Sequence, residues 1–148
     1  MTHGSLFDTP AGVHAAIANV DGGSRGNPGP AGYGVRIQKD DGSIVELKAA
    51  LGTATNNVAE YHGMLAALRW ALEHGITRLE VRADSELMVK QMNGVYRVKN
   101  PGLQPLHEEA TALIRRIGRV TFEHVRRELN ADADRLANEA MDDAARGR

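Results

Sequence analysis

Residues 20–34 read VDGGSRGNPGPAGYG, where the end of an apolar strand meets a carboxylate and opens into a glycine-rich turn. Six glycines fall within this stretch. Glycine accepts positive φ angles and lets another backbone or a ligand approach closely. An aspartate at a strand tip beside such a turn, here Asp21, can hold a cation near a bound phosphate. It can equally start an ordinary hairpin turn, so the stretch predicts a β-hairpin and leaves both roles of Asp21 open.

The composition is that of an ordinary globular protein. The 148 residues and 16.0 kDa suit one domain with a substantial core, and apolar and charged fractions of 42% and 25% are typical. The net charge of -1 excludes a basic field over the whole surface, so a polyanion would need a local patch. Because the chain has no cysteine, thiolate metal sites, cysteine nucleophiles and disulfides are excluded.

The sequence shows neither an export signal nor a membrane span. Every apolar run is shorter than ~18 residues, and residues 1–12 lack a cationic segment followed by an apolar one. We therefore expect a cytoplasmic protein without membrane contact. We also expect a monomer. We also expect residues 1–13 to form a flexible N-terminal tail and residues 14–145 to form a single domain.

Hydrophobic periodicity predicts five strands and four helices in the order βββαβααβα. The predicted strands cover residues 14–20, 33–37, 44–48, 79–83 and 120–125, and the helices cover residues 56–74, 85–92, 103–117 and a last segment from residue 131. A helix between strands suits a crossover connection. The expected fold is therefore a five-stranded mixed sheet flanked by helices, of the α/β or α+β class.

Polar and apolar patterns predict the helix starts and the buried faces. Thr55 or Asn56, the pair Asp84-Ser85, and Asn130 are the expected N-terminal caps. Apolar stripes at helical spacing predict the core-facing residues Val58, Tyr61, Leu65, Leu68 and Leu72 of the first helix, and Ala133, Leu136, Ala137, Ala140 and Met141 of the last.

Four carboxylates fall at the ends of predicted elements. Asp21 and Asp84 close the first and fourth strands, so they lie side by side at the carboxyl edge of the sheet if these strands are neighbours. Glu60 and Asp134 are placed in the first turns of two helices. Converging carboxylates repel one another, and hard oxygen ligands favour Mg²⁺ or Mn²⁺. Two such ions about 4 Å apart can activate water and stabilise the leaving oxygen of a phosphoryl displacement.

Each carboxylate also has a purely structural explanation. Glu60 could complement a helix dipole, and Asp84 could cap the helix that follows it. Asp134 competes with Asp132, and spacing alone does not choose between them. The convergence of all four groups is therefore a hypothesis at this stage.

Four blocks of the sequence resemble, in order, those of type 1 ribonuclease H. They are Asp21–Gly34, Thr55-Asn56-Asn57-x-x-Glu60, Asp84-Ser85 and Ala133-Asp134-x-Leu136-Ala137, and the resemblance covers residues 14–143. It implies the ribonuclease H fold and hydrolysis of the RNA strand of RNA–DNA hybrids, leaving 5′-phosphate and 3′-hydroxyl ends. It also implies that Asp21, Glu60, Asp84 and Asp134 are the catalytic residues and the ligands of two Mg²⁺ ions, with Mn²⁺ as a substitute. The resemblance thus selects Asp134 over Asp132.

The same resemblance implies the substrate contacts. Asn27, Thr55 and Asn57 would hold the DNA strand at a phosphate and in the minor groove. Gly22 and Asn56, together with Glu60, would lie near the ribose 2′-hydroxyls, the groups by which a protein distinguishes RNA from DNA. The implied partner is an RNA–DNA hybrid duplex, and no protein partner is implied.

Two features depart from the family pattern. Well-known members carry a histidine in the loop before the last helix, whereas residues 126–130 here read RRELN. Arg127 is the candidate helper in product release, although a guanidinium with a pKa above ~12 is a poor proton shuttle. The basic helix with which longer members grip the hybrid is also missing, and only Tyr96, Arg97 and Lys99 stand in its place. We therefore expect a short form with weaker and more salt-sensitive binding.

Two rival functions stay open: a non-catalytic hybrid-binding module, and a two-metal nuclease of the same superfold that acts on DNA. The four carboxylates argue against the first, and the asparagine and glycine blocks argue against the second. The histidines form no His-x-x-x-His pair, and the glycine-rich turn lacks the Gly-Lys-Ser/Thr of a P-loop, so neither a zinc site nor a nucleotide site is indicated. Trp70 is expected to pack in the protein rather than to stack on a base.

Overall fold

A computed structural model describes residues 14–147 of the chain. Within them, five strands and four α-helices follow the predicted order, and a 3₁₀ helix precedes the last α-helix. The elements are β1 (Ala15–Ser24), β2 (Gly29–Lys39), β3 (Ile44–Ala54), α1 (Asn56–Glu73), β4 (Arg78–Ala83), α2 (Glu86–Met92), α3 (Gln104–Ile117), β5 (Arg119–His124), the 3₁₀ helix Arg127–Leu129 and α4 (Ala131–Ala145). The expected tail, residues 1–13, lies outside the described residues.

The sheet is mixed, with the strand order β3-β2-β1-β4-β5. β1, β2 and β3 form an antiparallel meander, whereas β4 is parallel to both β1 and β5. The prediction of a five-stranded mixed sheet with flanking helices is thus confirmed. β1 and β4 are neighbours, which is the condition on which the side-by-side placement of Asp21 and Asp84 depended.

β1 runs further than the sequence predicted. Its expected end was Val20, but the antiparallel ladder with β2 continues to Ser24, opposite Ala31. Only the parallel ladder with β4 stops at Val20, opposite Ala83. Asp21 therefore neither ends the strand nor starts the turn, and it is the first residue beyond the parallel pairing. The long hairpin satisfies the main-chain groups of residues whose glycines had indicated a loop.

Glycines in the hairpin allow two helices to approach its backbone. A Cβ atom on Gly22 would lie 2.4 Å from the carbonyl carbon of Ala59 in α1, and one on Gly34 would lie 2.4 Å from the Cβ atom of Leu136 in α4. Of the six glycines in this stretch, Gly26 alone has a positive φ, of 88°. Close packing of helix on strand, more than turn geometry, accounts for the glycine-rich sequence.

The helices bury the faces that periodicity predicted. In α1, Tyr61, Leu65 and Leu68 are buried, and Val58 and Leu72 pack against them at partial burial. The buried residues of α4 are the predicted set Ala133, Leu136, Ala137, Ala140 and Met141.

Packing also accounts for the single tryptophan. Trp70 is buried and stacks on His74, with ring centroids 4.3 Å apart. This confirms the expectation that Trp70 packs within the protein.

All three predicted cap positions are confirmed, but only two of the cap side chains form the capping bond. Thr55 caps α1 by accepting a hydrogen bond from the Val58 N–H, and Ser85 caps α2. Asn130 occupies the cap position of α4, but its side chain makes no capping bond because β1 engages both of its polar ends.

Residues 93–103 connect α2 to α3 as a loop, so an additional basic helix is absent from this part of the described structure. Within residues 14–147, none of the helices has the length and apolar character that crossing a bilayer requires.

Candidate active site

Three carboxylates meet where the parallel strands end. Asp21, Glu60 and Asp84 place one oxygen each so that all three oxygens lie within 4.8 Å of one another. Asp21 belongs to β1, Asp84 directly follows β4, and Glu60 reaches over from α1. The strand order brings the first two together, and the crossover through α1 brings the third.

Local structure removes the alternative explanations for two of these groups. Ser85 accepts the hydrogen bond from the Met88 N–H that caps α2, so Asp84 is not the cap. The first turn of α1 contains no acidic residue, and Glu60 lies just beyond it. Its predicted place in the first turn was therefore wrong, and the helix dipole stabilises a carboxylate less at that distance.

Burial and the charge of Asp84 make Asp21 and Glu60 hard to ionise. Burial raises the pKa of Asp21 from 3.8 to about 8, the charge of Asp84 raises it as well, and a 2.9 Å hydrogen bond from the Gly22 N–H opposes the rise. Burial likewise raises the pKa of Glu60 from 4.5 to about 7, against the lowering effect of a hydrogen bond with Ser85. A cation bound among them would restore the ionised form.

Asp134 adds a fourth carboxylate from the first turn of α4. It contributes to the raised pKa of Asp21 through a hydrogen bond and through its charge, after burial and Asp84. Its Oδ1 lies 3.7 Å from Nη2 of Arg127. Asp132 instead pairs with Arg36 of β2 at 3.4 Å. The tertiary structure therefore places Asp134, and not Asp132, beside the other carboxylates.

Two asparagines join the hairpin to the start of α1. Oδ1 of Asn27 accepts a hydrogen bond from the Asn56 N–H at 3.0 Å, and Oδ1 of Asn56 accepts one from the Ser24 N–H at 2.8 Å. Both side chains are exposed. Because their oxygens are engaged within the protein, their NH₂ groups are the ends that are left to donate to a ligand.

Two of the other predicted substrate residues line the site, and two lie at the start of α1 outside its lining. Gly22 and Arg127 line an open depression of about 320 Å³ together with the four carboxylates, and the Arg127 side chain is 78% exposed. Thr55 uses its hydroxyl as the cap of α1, and Asn57 is half-buried in the first turn of that helix.

Sequence reasoning missed some residues of this depression. Its lining includes Asn138 and Met141 of α4. Met141 had been assigned to the core alone, and Asn138 belongs to no motif. Their position one and two turns after Asp134 on the same helix was the available signal.

Comparison with known proteins shows the family. The family described as reverse transcriptase-like matches residues 19–140. The N-terminal RNase H domain of Rv2228c from Mycobacterium tuberculosis, solved as a fusion with maltose binding protein, is 48% identical, with a TM-score of 0.86 over 90% of this chain and 98% of that one. The chain belongs to the type 1 ribonuclease H family.

Other members of the ribonuclease H1 group are nearly as similar. RNase H1 of the halophilic archaeon Halobacterium salinarum is 42% identical, with a TM-score of 0.82 over 87% of this chain and 98% of that one. LC11-RNase H1, solved in complex with an RNA/DNA hybrid, is 44% identical, with the same TM-score over 88% of this chain and 99% of that one.

The curated relatives are longer than this type 1 ribonuclease H. The bifunctional protein Rv2228c is 51% identical over 131 residues, which are 87% of this chain and 36% of that protein. Ribonuclease HI of Halobacterium salinarum is 43% identical over 89% of this chain and 65% of its own length. The chain thus spans about a third of the first relative and about two thirds of the second.

Proposed function

We propose that this type 1 ribonuclease H is a Mg²⁺-dependent endoribonuclease that hydrolyses the RNA strand of RNA–DNA hybrids and leaves 5′-phosphate and 3′-hydroxyl ends. The observation that carries the proposal is the convergence of Asp21, Glu60 and Asp84 oxygens within 4.8 Å at the carboxyl end of the parallel strands. The complex of LC11-RNase H1 with an RNA/DNA hybrid supports this class of substrate.

The donor set fits a pair of divalent cations. Asp21, Glu60, Asp84 and Asp134 are hard oxygen ligands, which Mg²⁺ and Mn²⁺ prefer. The raised pKa values of Asp21 and Glu60 mean that nearby positive charge favours the ionised form of both groups. We assign the binding of two ions to these four carboxylates. Bound ions supply Lewis acidity that activates water and stabilises the leaving 3′-oxygen.

The protein's own groups position the hybrid. The exposed NH₂ group of Asn27 can donate to a phosphate of the DNA strand, and we assign Thr55 and Asn57, at the start of α1, to the same strand. Asn56 and the main chain at Gly22 border the carboxylates and face the RNA ribose. Arg127, next to Asp134, offers a positive charge to the departing phosphate.

The proposal concerns residues 14–145 as one ribonuclease H domain. We propose that this domain acts as a monomer in the cytoplasm. The curated relatives contain further sequence beyond the matched region, so the activity assigned here is that of the domain.

The test is Mg²⁺-dependent cleavage of a labelled RNA–DNA hybrid, beside RNA–RNA and DNA–DNA duplexes. The wild type should cut only the RNA strand of the hybrid, and Asp21→Asn and Asp134→Asn should lose this activity. Asp132→Asn is the matched control, because it removes a carboxylate from the same helix turn but away from the cluster, and its rate should stay within about twofold.

The rival functions give different results in the same assay. Hybrid binding without cleavage in Mg²⁺ or Mn²⁺ would indicate a non-catalytic module. Cleavage of the DNA duplex would indicate a DNA nuclease on the same fold.

A further inference from the structure

A buried amide joins α4 to the strand that carries Asp21. Asn130, the residue before α4, is 1% exposed. Its Nδ2 donates to the carbonyl oxygen of Val20 at 2.9 Å, and its Oδ1 accepts from Nδ2 of Asn19 at 3.0 Å. Both ends of the Asn130 side chain are therefore committed to β1, at the expense of capping α4.

The two elements joined in this way also carry two of the carboxylates. Asn19 and Asp21 are two residues apart on β1, so their side chains leave the same face of the strand. Asn130 and Asp134 are four residues apart, and the Asp134 N–H donates to the Asn130 carbonyl oxygen at 3.0 Å in the first turn of α4. The hydrogen bond between Asn19 and Asn130 therefore lies two residues along β1 and one helical turn along α4 from the place where Asp21 and Asp134 interact.

Asp21 and Asp134 do not hold each other in place because their charges have the same sign, so another contact has to keep them close. Asp21 and Asp134 repel when both are ionised, as cation binding requires. The close packing of α4 over Gly34 sets how near the helix lies to the sheet, but contacts of this non-directional kind do not fix the orientation of a side chain. Amide hydrogen bonds are directional and weaken steeply when their geometry is disturbed.

We propose that Asn130 is a positioning residue whose side-chain hydrogen bonds to Asn19 and Val20 hold the first turn of α4 where Asp134 can share cation binding with Asp21. The inference rests on the proposed function of this site. Partners that orient metal ligands in this way typically change metal affinity or activity by roughly 10- to 100-fold when removed.

The experiment compares Asn130→Ala and Asn19→Ala with a matched control, Gln91→Leu. Gln91 is 6% exposed and accepts a buried hydrogen bond from the Tyr61 hydroxyl at 2.6 Å, so its loss also removes a buried side-chain bond. The readouts are the Mg²⁺ dissociation constant of the substrate-free protein by calorimetry, the Tm, and kcat and KM for the hybrid.

All three variants should lower the Tm, but only the asparagine variants should weaken Mg²⁺ binding. We expect a loss of roughly tenfold for Asn130→Ala and a smaller loss for Asn19→Ala, which leaves the bond to Val20 intact. The kcat should fall at limiting Mg²⁺ and recover at excess Mg²⁺, while KM for the hybrid stays unchanged.

A lower Tm with unchanged Mg²⁺ affinity in Asn130→Ala would overturn the positioning role. If that variant does not fold, unchanged affinity in Asn19→Ala overturns it instead. Failure of the wild type to bind Mg²⁺ or to cleave the hybrid would overturn the proposed function of the site, so the two failures are distinguishable.

Discussion

Asp21 and Glu60 are acids held where their charges are unfavourable. Burial raises their pKa values to about 8 and about 7, and the neighbouring charge of Asp84 adds to both shifts. Asp134, which lies beside Arg127, repels Asp21 further. In the absence of cations, the residues that suit the site for metal binding therefore reduce the stability of the fold at neutral and alkaline pH.

The first prediction at this scale is a loss of stability with rising pH. Because the folded pKa values of Asp21 and Glu60 exceed the unfolded ones, the folded state binds more protons between about pH 4 and pH 8. The free energy of unfolding of the metal-free protein should fall as the pH rises through this window. Below about pH 4 both groups are protonated in the folded and the unfolded state, so they should add no pH dependence there. Urea unfolding in EDTA measures this, and a midpoint that rises with pH across the window would contradict it.

Replacing the buried acid should stabilise the metal-free protein. Asp21→Asn removes the unfavourable charge, so in EDTA at pH 8 we expect a Tm higher by at least about 2–4 °C, the shift produced by ~1 kcal/mol in a domain of this size. The Asp132→Asn control should leave the Tm nearly unchanged, because Asp132 forms exposed ion pairs. A lower Tm for Asp21→Asn would show that the charge of Asp21 does not destabilise the metal-free protein.

Added Mg²⁺ should raise the Tm of the wild type above that of Asp21→Asn. A cation that binds only the folded state stabilises it by about 2.7 kcal/mol at 100 times its Kd. The Tm of the wild type should therefore rise with Mg²⁺ and return on chelation, whereas that of Asp21→Asn should respond much less. Equal responses of the two proteins would place the cation elsewhere.

At the scale of elements, α4 is held by close packing more than by its ion pairs. Arg135 pairs with Glu46 at 2.5 Å and Lys48 with Glu139 at 2.9 Å, but these side chains are all more than 40% exposed, and such pairs contribute about 0–1 kcal/mol each. The buried face of the helix lies over Gly34, where the room is smaller than a methyl group. The position of α4, and hence that of Asp134, depends on this contact.

Gly34→Ala, compared with Lys48→Met, tests whether packing or ion pairs hold α4 in place. Its new Cβ would lie 2.4 Å from the Leu136 Cβ and 2.6 Å from the Ala133 carbonyl oxygen, so the helix must move. We expect a loss of ~1–3 kcal/mol of unfolding free energy together with lower activity. Lys48→Met should cost less than ~1 kcal/mol. Urea unfolding measures the loss of unfolding free energy in both variants. A larger loss in Lys48→Met than in Gly34→Ala would show that the ion pairs hold α4 more than the packing does.

At the scale of the whole molecule, the hybrid meets no overall excess of positive charge. The net charge is -1, and a loop over residues 93–103 occupies the place of the basic helix of longer members. Affinity is expected to be weaker, as the sequence indicated. The slope of log affinity against log salt concentration, however, scales with the number of phosphates that the protein neutralises. Fewer contacts therefore imply a shallower slope, which revises the expectation of greater salt sensitivity.

The salt prediction is a high KM with a modest salt dependence. A plot of log KM against log salt concentration should have a slope of ~0.9 for each phosphate contacted, and thus a smaller slope than that of a homologue that carries the basic helix. Measuring both enzymes over the same salt range tests this. A steeper slope here would reveal additional cationic contacts.

Local patterns predicted the elements well because helix and strand periodicity depends on neighbours within a few residues. The buried face of α4 and the cap Thr55 are examples. The errors occurred where a distant partner decides. The hairpin with β2 carried β1 beyond Val20. The hydrogen bonds to Asn19 and Val20 engage the Asn130 side chain, which therefore makes no capping bond although Asn130 occupies the cap position.

The sequence by itself determined the order of elements, the family resemblance and four candidate carboxylates, since these depend on residue type and spacing. Only the tertiary structure decided that β1 and β4 are adjacent, that Asp134 lies beside Asp21 while Asp132 pairs with Arg36, and that burial raises the pKa of Asp21. Strand order and burial arise from contacts between segments up to a hundred residues apart, and the spacing of residues along one chain does not encode those contacts directly.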